Sequence, residues 1–560
     1  MSRWGTKAFI AAVLILFAAA AYAQRELLPA SDPIYTFLLR QSMRGNIHGF
    51  YWGMIPLSRK EVGAFLDSLE HVSSLSPTDR GLLRDYQTQL SWEHRRNLES
   101  SSSFLPDFGF SGIFDDAPQK YLYAHTDSTA TVFMDGFASY SYQLGRGDSV
   151  GHTYASLGEI GFRVRGTFAD RLGYFLQASN GKQFGGSHAL ALFDPRLRAN
   201  KKFNSDQESY FDYTNGYLRY DADWLALTIG RDQILWGMGY QDRMVFSDNT
   251  VPFDFIKLDL RSGSLRYSFL AGSLITADTT GHTVLSKYIA SHRLEFDITS
   301  RLRLGLSEAI IYSNQPPLFT LLNPMAFLTS ADLSTEIGTK GYADNQHNAL
   351  IWIDAEYRLL RNVRLNGTWL IDDIDFSKFG KSDLSGNVEK FGWQGGVLWN
   401  DALALDNLLL SLEYTRIGPF VETHRTIVNS YTNWGLPLGD HLQPNSDEWG
   451  FGADYDITPR LTVHGRLQLQ RTGENILDAS GYMVYNAGSD LLRGDGDLVH
   501  PNIFLEGRRV NRTLGNMQLI WQPIRQYFIE LQYFYRSLRY PADALTLHDS
   551  VYWTTFRFDY

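Results

Sequence analysis

Cysteine is absent from the 560 residues, and its absence excludes disulfides, a lipid-anchor cysteine and zinc–thiolate chemistry. Charged residues are scarce at 20%, and their balance is acidic, with a formal net charge of −10. No basic tract of the kind nucleic acid requires stands out, so no nucleic-acid partner is expected. Apart from one short stretch near the N-terminus, no apolar run approaches the ~20 residues of a membrane helix. His-x-x-x-His and His-Glu-x-x-His are both missing. Ser307 beside Glu308 could in principle supply a nucleophile and a base, but without such spacing. No enzymatic activity, catalytic residue, cofactor or metal is therefore expected.

Aromatic residues, by contrast, are plentiful. The 31 Tyr, 35 Phe and 13 Trp make up 14% of the chain, while mean hydropathy is only −0.24. That combination suits a transmembrane β-barrel, in which only alternate residues meet lipid. The alternation itself is visible. Leu294, Phe296 and Ile298 interleave with Arg293, Glu295 and Asp297; after Thr299-Ser300, Leu302, Leu304 and Leu306 interleave with Arg301, Arg303 and Ser307. The same period recurs from Leu461 to Gln470 and from Tyr527 to Arg536. Tight turns near Asp170-Arg171, Asp221-Asp223, Ser262-Gly263, Thr299-Ser300, Arg361-Asn362, Thr458-Pro459 and Pro523 alternate with long polar loops near 180–209, 313–347, 418–447 and 472–510. Short periplasmic turns and longer outside loops are the connections of outer-membrane barrels. The fold class expected is all-β, a transmembrane barrel of about 18 antiparallel strands over residues 129–560, closing on a strand that ends in Tyr560.

The N-terminal part differs. Arg3 and Lys7, an apolar run from Ala8 to Ala20, and Ala21-Tyr22-Ala23 predict a signal peptide over 1–23. Residues 24–103 predict a small α-helical module on the periplasmic side. Asp32-Pro33 opens its first helix, the capping box Ser58-x-x-Glu61 its second, and Ser76-Pro77-Thr78-Asp79 its third. A linker over 104–128 leads into the barrel.

One stretch, Trp224–Leu260, combines a strand, Gly230-Arg231, the glycine-punctuated Trp236-Gly237-Met238-Gly239-Tyr240, and a polar loop ending in Pro252. Further segments are Ser291-His292-Arg293-Leu294-Glu295, Leu322-Asn323-Pro324-Met325, Tyr431-Thr432-Asn433-Trp434-Gly435-Leu436-Pro437-Leu438-Gly439, and Pro444-Asn445-Ser446-Asp447-Glu448. In this order they resemble the Wzi-like capsule assembly family of outer-membrane proteins; Met238 stands where that family usually has Pro. The resemblance implies a Gram-negative outer-membrane protein that binds surface polysaccharide in a lectin-like way and helps capsule assembly or attachment. Its partners would be the polysaccharide, outer-membrane lipid and, during insertion, the barrel assembly machinery. A porin-like channel for small solutes is the alternative, its lumen lined by the Arg, Glu and Asp faces above.

The expected carbohydrate contacts are Trp236, Tyr240, Tyr431, Asn433, Trp434, Asp440 and His441, because aromatic faces stack on sugar rings and amide or acidic groups bond to hydroxyls. For Trp236 and Tyr240, an interfacial aromatic girdle is the competing reading.

Overall fold

The structure, a computed structural model, describes residues 24–90, 101–104, 114–127, 129–204, 207–276, 286–331, 347–373, 390–494 and 503–560. The expected signal peptide over 1–23 lies outside the described residues.

Eighteen antiparallel strands close into one barrel. They are β1 (Thr131–Gly147), β2 (Gly151–Phe168), β3 (Leu172–Gly186), β4 (Tyr210–Asp221), β5 (Leu225–Asp232) and β6 (Phe253–Ser262). Next come β7 (Leu265–Leu274), β8 (Lys287–Asp297), β9 (Leu302–Ser313), β10 (Asn348–Leu360), β11 (Val363–Asp373) and β12 (Lys390–Asn400). The last are β13 (Leu408–Ile417), β14 (Ser446–Thr458), β15 (Leu461–Glu474), β16 (Arg508–Ile524), β17 (Tyr527–Tyr540) and β18 (Leu545–Asp559). β18 returns to β1 with Phe558 opposite Ala138 and Tyr552 opposite Leu144. Among the described residues, closure leaves the barrel sheet no unpaired edge, the condition a membrane-spanning sheet must meet.

Alternation sorts the side chains. In the hairpin β8–β9, Leu294 faces Leu306 and Arg293 faces Ser307. Leu306 is exposed on the outer wall, as are Ile160, Leu218, Ile229, Ile256, Leu467 and Phe556. Arg293 and Glu295 point inward and are fully buried. Lumen-facing charges meet one another across the strands: Arg219 lies 3.1 Å from both Asp221 and Asp259, and Lys257 lies 3.0 Å from Asp259.

The three expected helices form, as α1 (Ile34–Arg44), α2 (Arg59–Glu70) and α3 (Pro77–Gln89). Ser58 and Glu61 make the reciprocal capping box of α2, and Ser76 accepts from the Asp79 backbone N–H at the start of α3. Pro33 takes the cap position of α1, while the Asp32 carboxylate accepts from Ile34 N at 3.0 Å.

The module does not hang beneath the barrel. It sits inside the end that carries the tight turns, because its basic residues find carboxylates on the inner wall and turns. Arg40 reaches Asp456 on β14 at 2.5 Å, and Arg44 reaches Asp401 in the β12–β13 turn at 2.5 Å. Glu26 accepts from Arg165 on β2 at 2.9 Å. Leu398 and Leu409 of the wall join the apolar core of the helices. The chain between α1 and α2 then crosses the lumen: Arg303 donates to Phe50 O at 2.9 Å, and Tyr51 donates to Ser264 O at 2.6 Å. In the 104–128 stretch, Tyr123–Thr126 pairs with Ser101–Phe104 and with the start of β1, so the barrel base begins earlier than alternation alone indicates.

Candidate functional site

The loop after β5 (233–252) and the loop after β13 (418–445) both turn into the lumen. Leu235–Trp236 pairs with Met54–Ile55 of the crossing segment, and Trp236 also exchanges backbone hydrogen bonds with Phe246. The Trp-Gly-x-Gly spacing is explained by this path. Gly237 has φ +117°, and a Cβ on Gly239 would collide with the Asp242 carbonyl and the Gln394 side chain. Only glycine fits such a close approach.

That infolding decides where the expected contact residues lie. Trp236 is 0% exposed and packs on Phe246 at a centroid distance of 5.2 Å. Tyr431 is 0% exposed as well, 5.2 Å from Trp352, and its hydroxyl donates to Val245 O at 2.6 Å. Both are core residues with no ring face open to a ligand. Asn433 is buried, accepting from Ile275 N and donating to Val251 O, each at 2.9 Å.

Trp434 differs. It is half-buried, near the outer end of β7, with its N–H on Ile275 O and the Lys201 ammonium 5.0 Å over its ring. Tyr240 faces the opposite way, toward the helical module. Its ring lies 5.6 Å from Trp52, and its hydroxyl donates to Asp454 at 2.6 Å. It lines a cavity of about 510 Å³ between module and wall, which runs from Asp242 and Asp248 to Pro459 and Arg460 at the tight-turn end. The seven residues are thus not one surface: Trp434 belongs to the outer rim, Tyr240 to an interior cavity, and the others to the packing between loops.

Asp440 and His441 meet residues of the other infolded loop. His441 Nδ1 lies 2.7 Å from Asp242 Oδ2 and 3.3 Å from Asp440 Oδ1, and its Nε2 lies 3.1 Å from Glu448. Burial opposes charge on the His441 ring, but Glu448, Asp242 and Asp440 outweigh it and raise its pKa well above the usual imidazole value. Burial also pushes the carboxyls of Asp440 and Glu422 well up, reinforced by neighbouring acids. Burial brings the Arg243 guanidinium down to about 9, beneath its stacking contact with Trp52 at 4.5 Å. Asp242, Glu422 and Lys201 were not legible as site residues. Their partners lie far off in sequence, as with Asp242 and His441 or Lys201 and Trp434.

Ser307 and Glu308 separate onto opposite faces. Ser307 accepts from Arg293 inside the lumen at 2.7 Å. Glu308 points outward, held by His292 at 2.6 Å and by the Leu328 and Thr329 backbone N–H groups at 2.8 and 2.6 Å. The two cannot act on one substrate.

Several known structures are similar to this one to differing degrees. Wzi of Escherichia coli, an outer-membrane protein involved in group 1 capsule assembly and described as a carbohydrate-binding β-barrel, superposes with a TM-score of 0.57 at 14% identity, covering 95% of this chain and 99% of that one. The outer-membrane protein OprD of Pseudomonas aeruginosa gives a TM-score of 0.42 at 12% identity, covering 77% and 94%. OpdK of the same organism gives 0.42 at 9%, covering 76% and 99%. No curated protein matches the sequence. The capsule assembly protein Wzi family matches residues 137–494, well over half of the chain. The chain therefore belongs to the Wzi capsule assembly family, as an outer-membrane β-barrel.

Proposed function

We propose that this barrel holds surface polysaccharide by lectin-like contact at its outer loops, and thereby takes part in capsule assembly or attachment without catalysing a reaction. The observation that carries the reading is the filled lumen. The helical module, the crossing segment and two infolded loops occupy the space a porin leaves to water, so the outer rim is the surface left for a large ligand. Membership of the Wzi family and the described carbohydrate binding of the Escherichia coli protein support it. The apolar outer wall faces outer-membrane lipid, and insertion relies on the barrel assembly machinery.

This orientation puts the tight turns in the periplasm. A tag at Gly481, in the loop carrying exposed Tyr482, is expected to be labelled on intact cells. A tag at Ser300, in the β8–β9 turn, is expected to be labelled only after permeabilisation. Labelling of the Ser300 tag on intact cells would invert the barrel.

The site itself is tested at Trp434. Ring stacking contributes about 1 kcal/mol, so Trp434→Ala should weaken retention of polysaccharide several-fold while leaving a folded, heat-modifiable barrel. Trp236→Ala acts by another route. It empties part of a packed core and costs about 3–5 kcal/mol of stability. Leu304→Ala, on the outer wall, serves as the control. If Trp434→Ala folds and retains polysaccharide as the parent does, the outer rim around it is not the binding surface.

A further inference from the structure

We propose that Asp242, Asp440 and His441, backed by Glu422, form a divalent-cation site that staples the two infolded loops together inside the lumen. The three ligating atoms lie within 4.8 Å of one another, with His441 Nδ1 at 2.7 Å from Asp242 Oδ2 and 3.3 Å from Asp440 Oδ1. Around a single ion with bonds of about 2.0–2.2 Å, donor atoms stand about 3–3.5 Å apart. Small side-chain shifts therefore suffice. Asp242 comes from the loop after β5 and the other two from the loop after β13, so one ion would link segments some two hundred residues apart in the chain, about 200 by their numbering.

The surroundings are those of a supported ligand set. The second ring nitrogen of His441 faces Glu448 at 3.1 Å, and Glu448 is itself held by Gln470 at 2.6 Å and Gln468 at 3.0 Å. A carboxylate behind the imidazole fixes its orientation and raises its basicity toward a metal. Asn249 donates to Asp242 at 2.9 Å, and the Leu442 N–H donates to Asp440 at 3.0 Å.

Glu422 is the independent sign of a missing charge. It is 1% exposed, and neither carboxylate oxygen has a hydrogen-bond partner. Its Oε1 stands 3.3 Å from where a Cβ on Gly439 would be, beside Asp440, and the charges it feels are those of Asp372, Asp440 and Asp242. A buried carboxylate facing other carboxylates is costly without a compensating cation. A hydrated ion also has a route in, because the cavity of about 510 Å³ reaches Asp242 from the tight-turn end.

The donor set selects the ion class. Calcium takes oxygen ligands only, whereas one imidazole with carboxylates suits a borderline ion such as Zn²⁺ or Mn²⁺. Binding would release to solvent the proton that His441 Nδ1 shares with Asp242.

The test is calorimetric titration of the full-length barrel, chelator-treated in detergent, with ZnCl₂. A single saturable site is expected. Glu422→Gln and Glu448→Gln should each weaken it about ten- to a hundredfold, and the double change Asp440→Asn with His441→Gln should abolish it. His464→Gln, near the tight-turn end, should leave it unchanged, and CaCl₂ should not compete at equal concentration. Heat-modifiable migration checks that each variant folds; if the double variant fails, the two Glu variants decide. A parent barrel that takes up no Zn²⁺, or uptake unaltered in the folded Glu variants, overturns the proposal.

Discussion

Arg293→Met is expected to cost the folded barrel about 3–5 kcal/mol, because it strands two buried carboxylates. Arg293, Glu295 and Asp354 are each 0% exposed at the side chain, the first two on β8 and the third on β10, with β9 between. The guanidinium donates to Glu295 at 2.8 and 2.6 Å, to Ser307 at 2.7 Å and to Asp354. Methionine fills a similar volume, so the loss is one of charge compensation and not of packing. Replacing all three residues by apolar ones of similar volume should recover much of the stability, since a buried ionic group is weak evidence of net stabilisation while a broken one is strongly destabilising. The measurement is the temperature at which heat-modifiable migration is lost, in the single and triple variants. Lys202→Ala, which breaks an exposed pair with Asp212, should leave that temperature unchanged. A single Arg293 variant as heat-resistant as the parent would show that Glu295 and Asp354 are not held by this contact.

Removing residues 24–90 should convert a non-conducting barrel into a conducting one. A barrel of this strand number leaves an aqueous channel when nothing fills it, as in the 16–18-stranded porins. Here α1 to α3 occupy the tight-turn end, tied to the wall through Arg40–Asp456, Arg44–Asp401 and Arg165–Glu26. The expected result in planar bilayers is steady conductance from the truncated protein and none from the parent. The loops 233–252 and 418–445 remain in the deletion, so its conductance should fall short of an open pore. Equal, steady conductance from both proteins would revive the porin reading.

The barrel was legible in the sequence because its physics is local. Leu294, Phe296 and Leu306 face outward, and Arg293 and Ser307 face the lumen, by a period of two that needs no knowledge of partners. Helix starts were legible for the same reason: Ser58 with Glu61, and Ser76 with Asp79, cap within one turn. The interior of the lumen was not. Trp236 and Tyr431 look like exposed loop aromatics until two loops are seen to fold inward and pack on each other. The contact that buries Tyr431, its hydroxyl on Val245 O, spans a sequence separation of 186. No periodicity or turn signal encodes such an approach. Trp434 lies three residues further on and stays at the rim, with a backbone φ of +59° that turns it away from the core. Its Lys201 neighbour comes from the loop after β3, again invisible to any local pattern.

The most direct test is to pass purified capsular polysaccharide from the host over the immobilised, folded parent barrel. Saturable binding, weakened several-fold by Trp434→Ala in line with the loss of about 1 kcal/mol of stacking, is the result expected. A folded parent barrel that shows no saturable binding would contradict the account.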